Sequence, residues 1–184
     1  MKAIKKALFA GIATCAFSGA VSADVPVIYL EGDTPVFRVN MPDFWTLWSG
    51  GDRDIAAPGT DDVRRVSRVI AMEPETSDEV WLGFVVPDGV STMAQADAYL
   101  EEIGPSLVRD PTVSSEKSGR IGGLRAEIVS GTGVSSGKSV SYTATAIDLP
   151  GSRIAIAVAV IEKGANAGYV QQINEIFGSF RSLR

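Results

Sequence analysis

The chain has 184 residues, one cysteine, no histidine and a formal net charge of −5 at pH 7. Without histidine it cannot assemble a Ser-His-Asp or Cys-His catalytic group, and it lacks the commonest metal ligand. The acidic balance argues against nucleic acid or an anionic membrane surface as a general partner.

The N-terminus reads as a secretory leader. Lys2, Lys5 and Lys6 precede an apolar run over 7–21, and Val21, Ser22 and Ala23 form a small-residue cleavage site. Cleavage after Ala23 predicts a single mature domain over 24–184, periplasmic or secreted. The three leader lysines go with it, which takes the net charge from −5 to about −8, and so does Cys15. Ile12, Ala13 and Thr14 ahead of Cys15 do not fit a lipoprotein signal, and no paired arginines support twin-arginine export. Burial, without disulfides, then has to hold the exported fold together. The longest later apolar stretch, 154–161, is too short to cross a bilayer.

After an extended lead over 25–31, residues 36–41 alternate as a strand; Pro42 and Asp43 turn the chain, and 44–48 read as the return strand. A polar loop is expected over 52–62, then one strand over 63–72 and an acidic turn over 73–78. Residues 80–86 are apolar on both faces, which predicts a central strand covered from both sides. The clearest helix spans 92–103: Thr92 and Gln95 fit a capping box, and Met93, Ala96, Leu100, Ile103 and Leu107 recur at steps of three and four. Gly104 and Pro105 are expected to break it or to restart a short turn.

Residues 112–120 read as an edge strand, and Gly122-Gly123 lead into a strand over 124–129. A flexible glycine-serine loop is expected over 130–137, then a strand over 139–149. On the strand 154–161, Ile154, Ile156, Val158 and Val160 form a large face, while Ala155, Ala157 and Ala159 form a small one. That asymmetry predicts an element packed very close to the alanines. A second amphipathic helix follows, with Asn166 as its cap and Tyr169, Ile173, Ile176 and Phe180 inward; Arg181 and Arg184 suit its C-terminal dipole. Strands, helix, three antiparallel strands and helix give an α+β fold: a mainly antiparallel sheet flanked by helices.

Several motifs resemble chemistry and fail on context. Gly133, Ser135 and Gly137 match the G-x-S-x-G nucleophile elbow, but that elbow needs a strand-to-helix turn and a histidine. Gly137-Lys138-Ser139 lacks the upstream glycine spacing and the following helix of a phosphate-binding loop. Ser114 with Lys117, and Ser135 with Lys138, have serine–lysine spacing; off a helix, residues three apart are expected to point to opposite faces. Glu73, Glu75, Asp78 and Glu79, and likewise Asp52, Asp54, Asp61 and Asp62, lack the pattern of a calcium loop and read as solvated turns, with weak calcium binding as the alternative. No carboxylate spacing selects a glycosidase pair.

Two groups remain as a candidate ligand or partner surface. Arg64 and Arg68 would share a strand face and, with Arg53, could frame an anion site or simply solubilise an edge. Trp45, Trp48 and Trp81 suit an aromatic cleft or a partner surface, or else the core. No catalytic, cofactor or metal residue is assigned.

The element order over 36–181 resembles the PsbP-like superfamily. Local echoes are the strand before Pro42 and Trp45, the Gly122-Gly123 pair, and the closing helix with Ile176, Phe177, Gly178, Ser179, Phe180 and Arg181. The resemblance implies an α/β/α sandwich and an accessory or binding role, and it carries no functional residue across. The leading expectation is an exported, non-catalytic protein acting through a protein partner in the cell envelope. The alternative is a small-molecule or lipid binder with an aromatic cleft near the three tryptophans. An enzyme working through carboxylates with Ser or Tyr stands third.

Overall fold

The computed structural model describes residues 24–51, 53–56 and 63–183, with backbone alone over 53–56 and 63–66. The leader, its cleavage site and Arg184 lie outside the described residues.

Strand β11 (Arg153–Glu162) lies at the middle of a seven-stranded antiparallel sheet, and its neighbours explain its two unequal faces. It pairs with β7 (Val80–Val85) on one side and β10 (Lys138–Leu149) on the other. Outward from β7 run β6 (Val69–Pro74) and the edge strand β3 (Trp45–Ser49). Outward from β10 run β9 (Leu124–Ser135) and the long edge strand β8 (Arg109–Ile121). The expected central position of β7 and the expected edge position of β8 both hold.

Helix α1 (Met93–Leu107) covers one face, where Ile154, Ile156, Val158 and Val160 pack with Ala96, Met93 and Leu100. The capping box is present: the Thr92 hydroxyl accepts the Gln95 N–H, and the Gln95 side chain accepts the Thr92 N–H at 3.1 Å. The helix continues through Gly104 and Pro105 to Leu107, contrary to the expected break. Pro105 sits in the last turn, where one missing N–H costs one bond and no further turn has to follow.

Against the other face lie helix α2 (Gly168–Gly178) and a three-stranded sheet of β1 (Asp24–Glu31), β2 (Thr34–Pro42) and β12 (Arg181–Ser182). Ala155, Ala157 and Ala159 belong to this core. The room they leave is filled by rings: Tyr29 stacks on Phe37 at 4.9 Å between centroids, and Phe37 on Phe180 at 4.8 Å. The predicted close packing on the alanine face is therefore real, and the small sheet and α2 share it. The N-cap of α2 is Ala167 and not the expected Asn166, whose side chain accepts the Gly168 N–H at 2.8 Å from one position earlier; Arg181 lies beyond the last turn, in β12, and its Nη1 donates to the Gly178 carbonyl at 2.9 Å. The architecture is α+β, with helices on both faces of a mainly antiparallel sheet.

Four expectations about the strands need correction. Strand β2 does not pair with β3: it pairs with the 25–31 lead, now β1, through a two-residue turn at Gly32-Asp33, while β3 pairs with β6. Val27 and Tyr29 on β1 have to bury against the same core as Val36, Phe37 and Val39, so the hairpin closes across Gly32, with one register shift between Tyr29 and Leu30. Residues 63–72 are two strands, β5 (Val63–Val66) and β6, because tertiary bonds capture the backbone at the break. Ser67 Oγ accepts the Asp88 N–H at 3.0 Å, and the Arg68 carbonyl accepts the Tyr29 hydroxyl at 2.6 Å.

The polar stretch 52–62 contains β4 (Arg53–Ala56), which pairs antiparallel with β5. Finally, 130–135 is strand and not loop; only Ser136 and Gly137 turn, both at positive φ. Gly131 and Gly133 serve close approach instead of loop freedom. A Cβ on Gly131 would lie 2.3 Å from the Thr112 carbonyl oxygen, and one on Gly133 2.4 Å from Val108 Cγ1.

Candidate functional site

The sheet separates the residues that sequence singled out. Trp45 is 2% exposed and belongs to the α2-side core, where its Nε1 donates to Gln172 Oε1 at 2.9 Å. Trp48 pairs with Ala71, which pairs with Gly83, and this row faces the α1 side. Trp81 lies on that side too, its ring spread over Gly83, where a Cβ would come within 2.2 Å of it. Trp48 and Trp81 thus share a face, with Trp48 59% exposed, while Trp45 is turned away from both. Arg64 stands opposite Ile55 on the β4–β5 hairpin and Arg68 at the break before β6, so they are not alternate positions of one strand. The side chains of Arg53 and Arg64 lie outside the described residues.

The serine–lysine motif at Ser135 and Lys138 is also placed by the turn. The two residues are cross-strand partners, not opposite-facing ones, because the two-residue hairpin folds position i onto i+3. Lys138 Nζ is held by Glu162 Oε1 at 2.5 Å, with Asp78 at 3.9 Å, and this pairing raises its pKa. An amine kept protonated is unsuited to activating a serine. Among the described residues no three or more Asp, Glu or Cys side chains group as a metal site.

One concave feature was not anticipated. A half-open groove of about 690 Å³ runs between α1 and the outer half of the sheet, floored by β9, β10 and β11 and flanked by β8. Val129, Tyr142, Ala144 and Val158 supply an apolar floor, and Leu100 and Leu107 an apolar wall. Its size lies within the usual range for small-molecule sites. Small residues make it: Ala144 and Ala146 on β10 and Gly104 on α1 leave depth that larger side chains would fill.

Carboxylates border this apolar space. Asp97 and Glu101 come from α1 one turn apart, Glu116 from β8 and Glu127 from β9. Glu127 is ion-paired with Arg125, at 2.5 Å from its Nη2, and Lys117 also borders the groove. Partial burial raises the Asp97 pKa first, and the negative charges of Glu127, Glu101 and Glu116 raise it further. The groove is therefore an apolar trough under a negative potential.

Sequence reasoning missed the groove because it is assembled from positions 97 to 158 across five elements. One signal was available. Arg125 and Glu127 share their strand face with Val129, and an ion pair on the same face as an apolar residue indicates that the face is not fully covered.

No protein-family model matches the chain, and no curated protein matches it in sequence. Solved structures with a similar backbone exist. Cyanobacterial PsbP from Synechocystis is 11% identical at a TM-score of 0.49, over 93% of this chain and 98% of that one. LpqN of Mycobacterium tuberculosis, described as involved in cell envelope biogenesis, is 15% identical at 0.49, over 87% and 90%. A Pseudomonas aeruginosa protein of unknown function, PA94, is 10% identical at 0.44, over 84% and 94%.

Proposed function

We propose that the chain is an exported, non-catalytic binding protein that carries its ligand in the groove beside α1. The observation behind this reading is the trough itself: about 690 Å³, with an apolar floor and wall, open at the surface and bordered by charged side chains. A site of that kind gains affinity by removing apolar surface from water, and its border orients what it holds. No described helix is long and apolar enough to cross a membrane. The secretory leader over 1–23 supports export, and intact-mass measurement of the secreted chain, expected to begin at Asp24, tests it.

Binding is tested with N-phenyl-1-naphthylamine, an uncharged probe whose fluorescence rises in apolar surroundings. The purified chain should bind it saturably at one site. Ala144→Phe, which fills the floor, should abolish binding while the thermal unfolding transition stays cooperative. Equal binding by that variant would remove the groove from consideration.

A second reading, action through a protein partner, has its own support at the opposite edge of the sheet. Phe44, Leu47 and Trp48 are exposed on or beside the edge strand β3, and an aromatic anchor on a strand at the end of its sheet suits a docking surface. Affinity capture from periplasmic extract, with mass spectrometry, should then recover a partner that Trp48→Ala loses.

A further inference from the structure

Resting on the groove reading above, we infer that the ligand is a cationic amphiphile: a single apolar chain lying along the groove floor, with a permanently or normally positive nitrogen head at its border. The reasoning is charge complementarity. Four carboxylates, Asp97, Glu101, Glu116 and Glu127, border an otherwise apolar trough, against the cations Lys117 and Arg125. Among the described residues only Glu127 of the four has an ion-pair partner.

Those four acids come from three separate elements, α1, β8 and β9, and converge only because α1 lies across the outer strands. Like charges brought together beside apolar surface oppose one another: burial is the main reason the Asp97 pKa is raised, and Glu127, Glu101 and Glu116 raise it further. A bound cation relieves that opposition, so attraction to the head adds to burial of the chain. An anionic amphiphile with the same tail would gain the burial and meet the repulsion.

The volume favours a small molecule over a protein segment. At about 690 Å³ the trough matches single-ligand sites, and its depth is made by Ala144, Ala146 and Gly104 rather than by a long continuous channel.

The test uses three twelve-carbon probes, dodecyltrimethylammonium, dodecanoate and dodecanol, each kept below its micelle concentration and competed against N-phenyl-1-naphthylamine at pH 7 and low salt. The ammonium should displace the uncharged probe at a concentration at least tenfold lower than dodecanoate, with dodecanol between them. The paired variant Asp97→Asn with Glu101→Gln should reduce that preference to about threefold or less and still bind the uncharged probe. Added salt should narrow the preference as well, because a charge contribution at an exposed border is screened.

Equal displacement by the ammonium and by dodecanoate would overturn the inference and leave the groove as a neutral apolar site. A variant that keeps the full preference would overturn it too, as would displacement by a lysine-rich amphipathic peptide but not by the ammonium. Failure of N-phenyl-1-naphthylamine itself to bind would instead strike the groove reading on which the inference rests.

Discussion

The Trp45 indole Nε1 donates to Gln172 Oε1 at 2.9 Å, which ties the edge strand β3 to helix α2 across the α2-side core. An exposed indole at an edge can serve a ligand; a buried one with its only donor satisfied is structural. Trp45→Phe keeps most of the apolar surface and leaves the Gln172 oxygen without this partner, at a cost of about 1–2 kcal/mol. Trp45→Ala opens a cavity as well and should cost about 3–5 kcal/mol. Chemical denaturation of both variants should give that order. A near wild-type midpoint for Trp45→Ala would show that the β3 end of the core is dispensable.

Two glycines should respond in opposite directions to the same change. At Gly131 an added Cβ meets the Thr112 carbonyl oxygen at 2.3 Å and the Tyr142 ring at under 3 Å, and backbone oxygen cannot rotate away. Gly131→Ala should therefore destabilise by about 1–3 kcal/mol, as overpacking does. At Gly104, inside α1, nothing lies within 4 Å of the added atom. Gly104→Ala should stabilise by about 0.5–1 kcal/mol, because alanine loses less backbone entropy in a helix. Thermal melts of the pair decide it, and a matching sign in both would refute the distinction between close approach and open space.

Residue 156 probes the middle of the sheet. Ile156 is fully buried on β11 beneath α1, paired to Val85 on one side and Ala146 on the other. Ile156→Asp would place a carboxylate without a partner in that layer, at a cost of several kcal/mol, enough to unfold a marginal domain. Loss of the cooperative far-UV transition is the expected result; a soluble variant with a wild-type midpoint would place the strand at the surface.

These sites show which parts of the fold sequence can express. Strands β7 and β11 were legible because burial on both sides leaves two apolar faces, a pattern that few other environments produce. The start of α1 was legible because Thr92 and Gln95 are local to each other. The partner of β2 was not: Val36, Phe37, Val39 and Met41 would alternate in the same way beside β1 or β3, and only the shared core with Val27 and Tyr29 decides. The break at Ser67 was hidden for the same reason, since Asp88 and Tyr29 reach it from distant positions. The groove was the least legible feature, because its depth comes from small side chains, which look in sequence like ordinary strand filling.

The last expectation follows from the charge at the groove border. The Asp97 carboxyl is pushed above its ordinary value of 3.8, first by partial burial and then by Glu127, Glu101 and Glu116. Lys117 and Arg125 are the nearby cations, and Arg125 is engaged with Glu127. A carboxyl whose pKa is raised by folding holds its proton better in the folded chain. Its contribution is therefore fully present below pH 3.8, is lost as the pH rises through the folded value, and is absent at pH 7. Asp97→Asn imitates the protonated group, so it should raise the melting temperature at pH 7 and change it little near pH 3. The Asp97 carboxyl carbon, followed by NMR during acid titration, should show the raised pKa, and dodecyltrimethylammonium should lower it by supplying the missing positive charge. An unshifted titration, or an Asp97→Asn variant less stable at pH 7 than the parent, would mean that the four acids do not oppose one another as their placement requires.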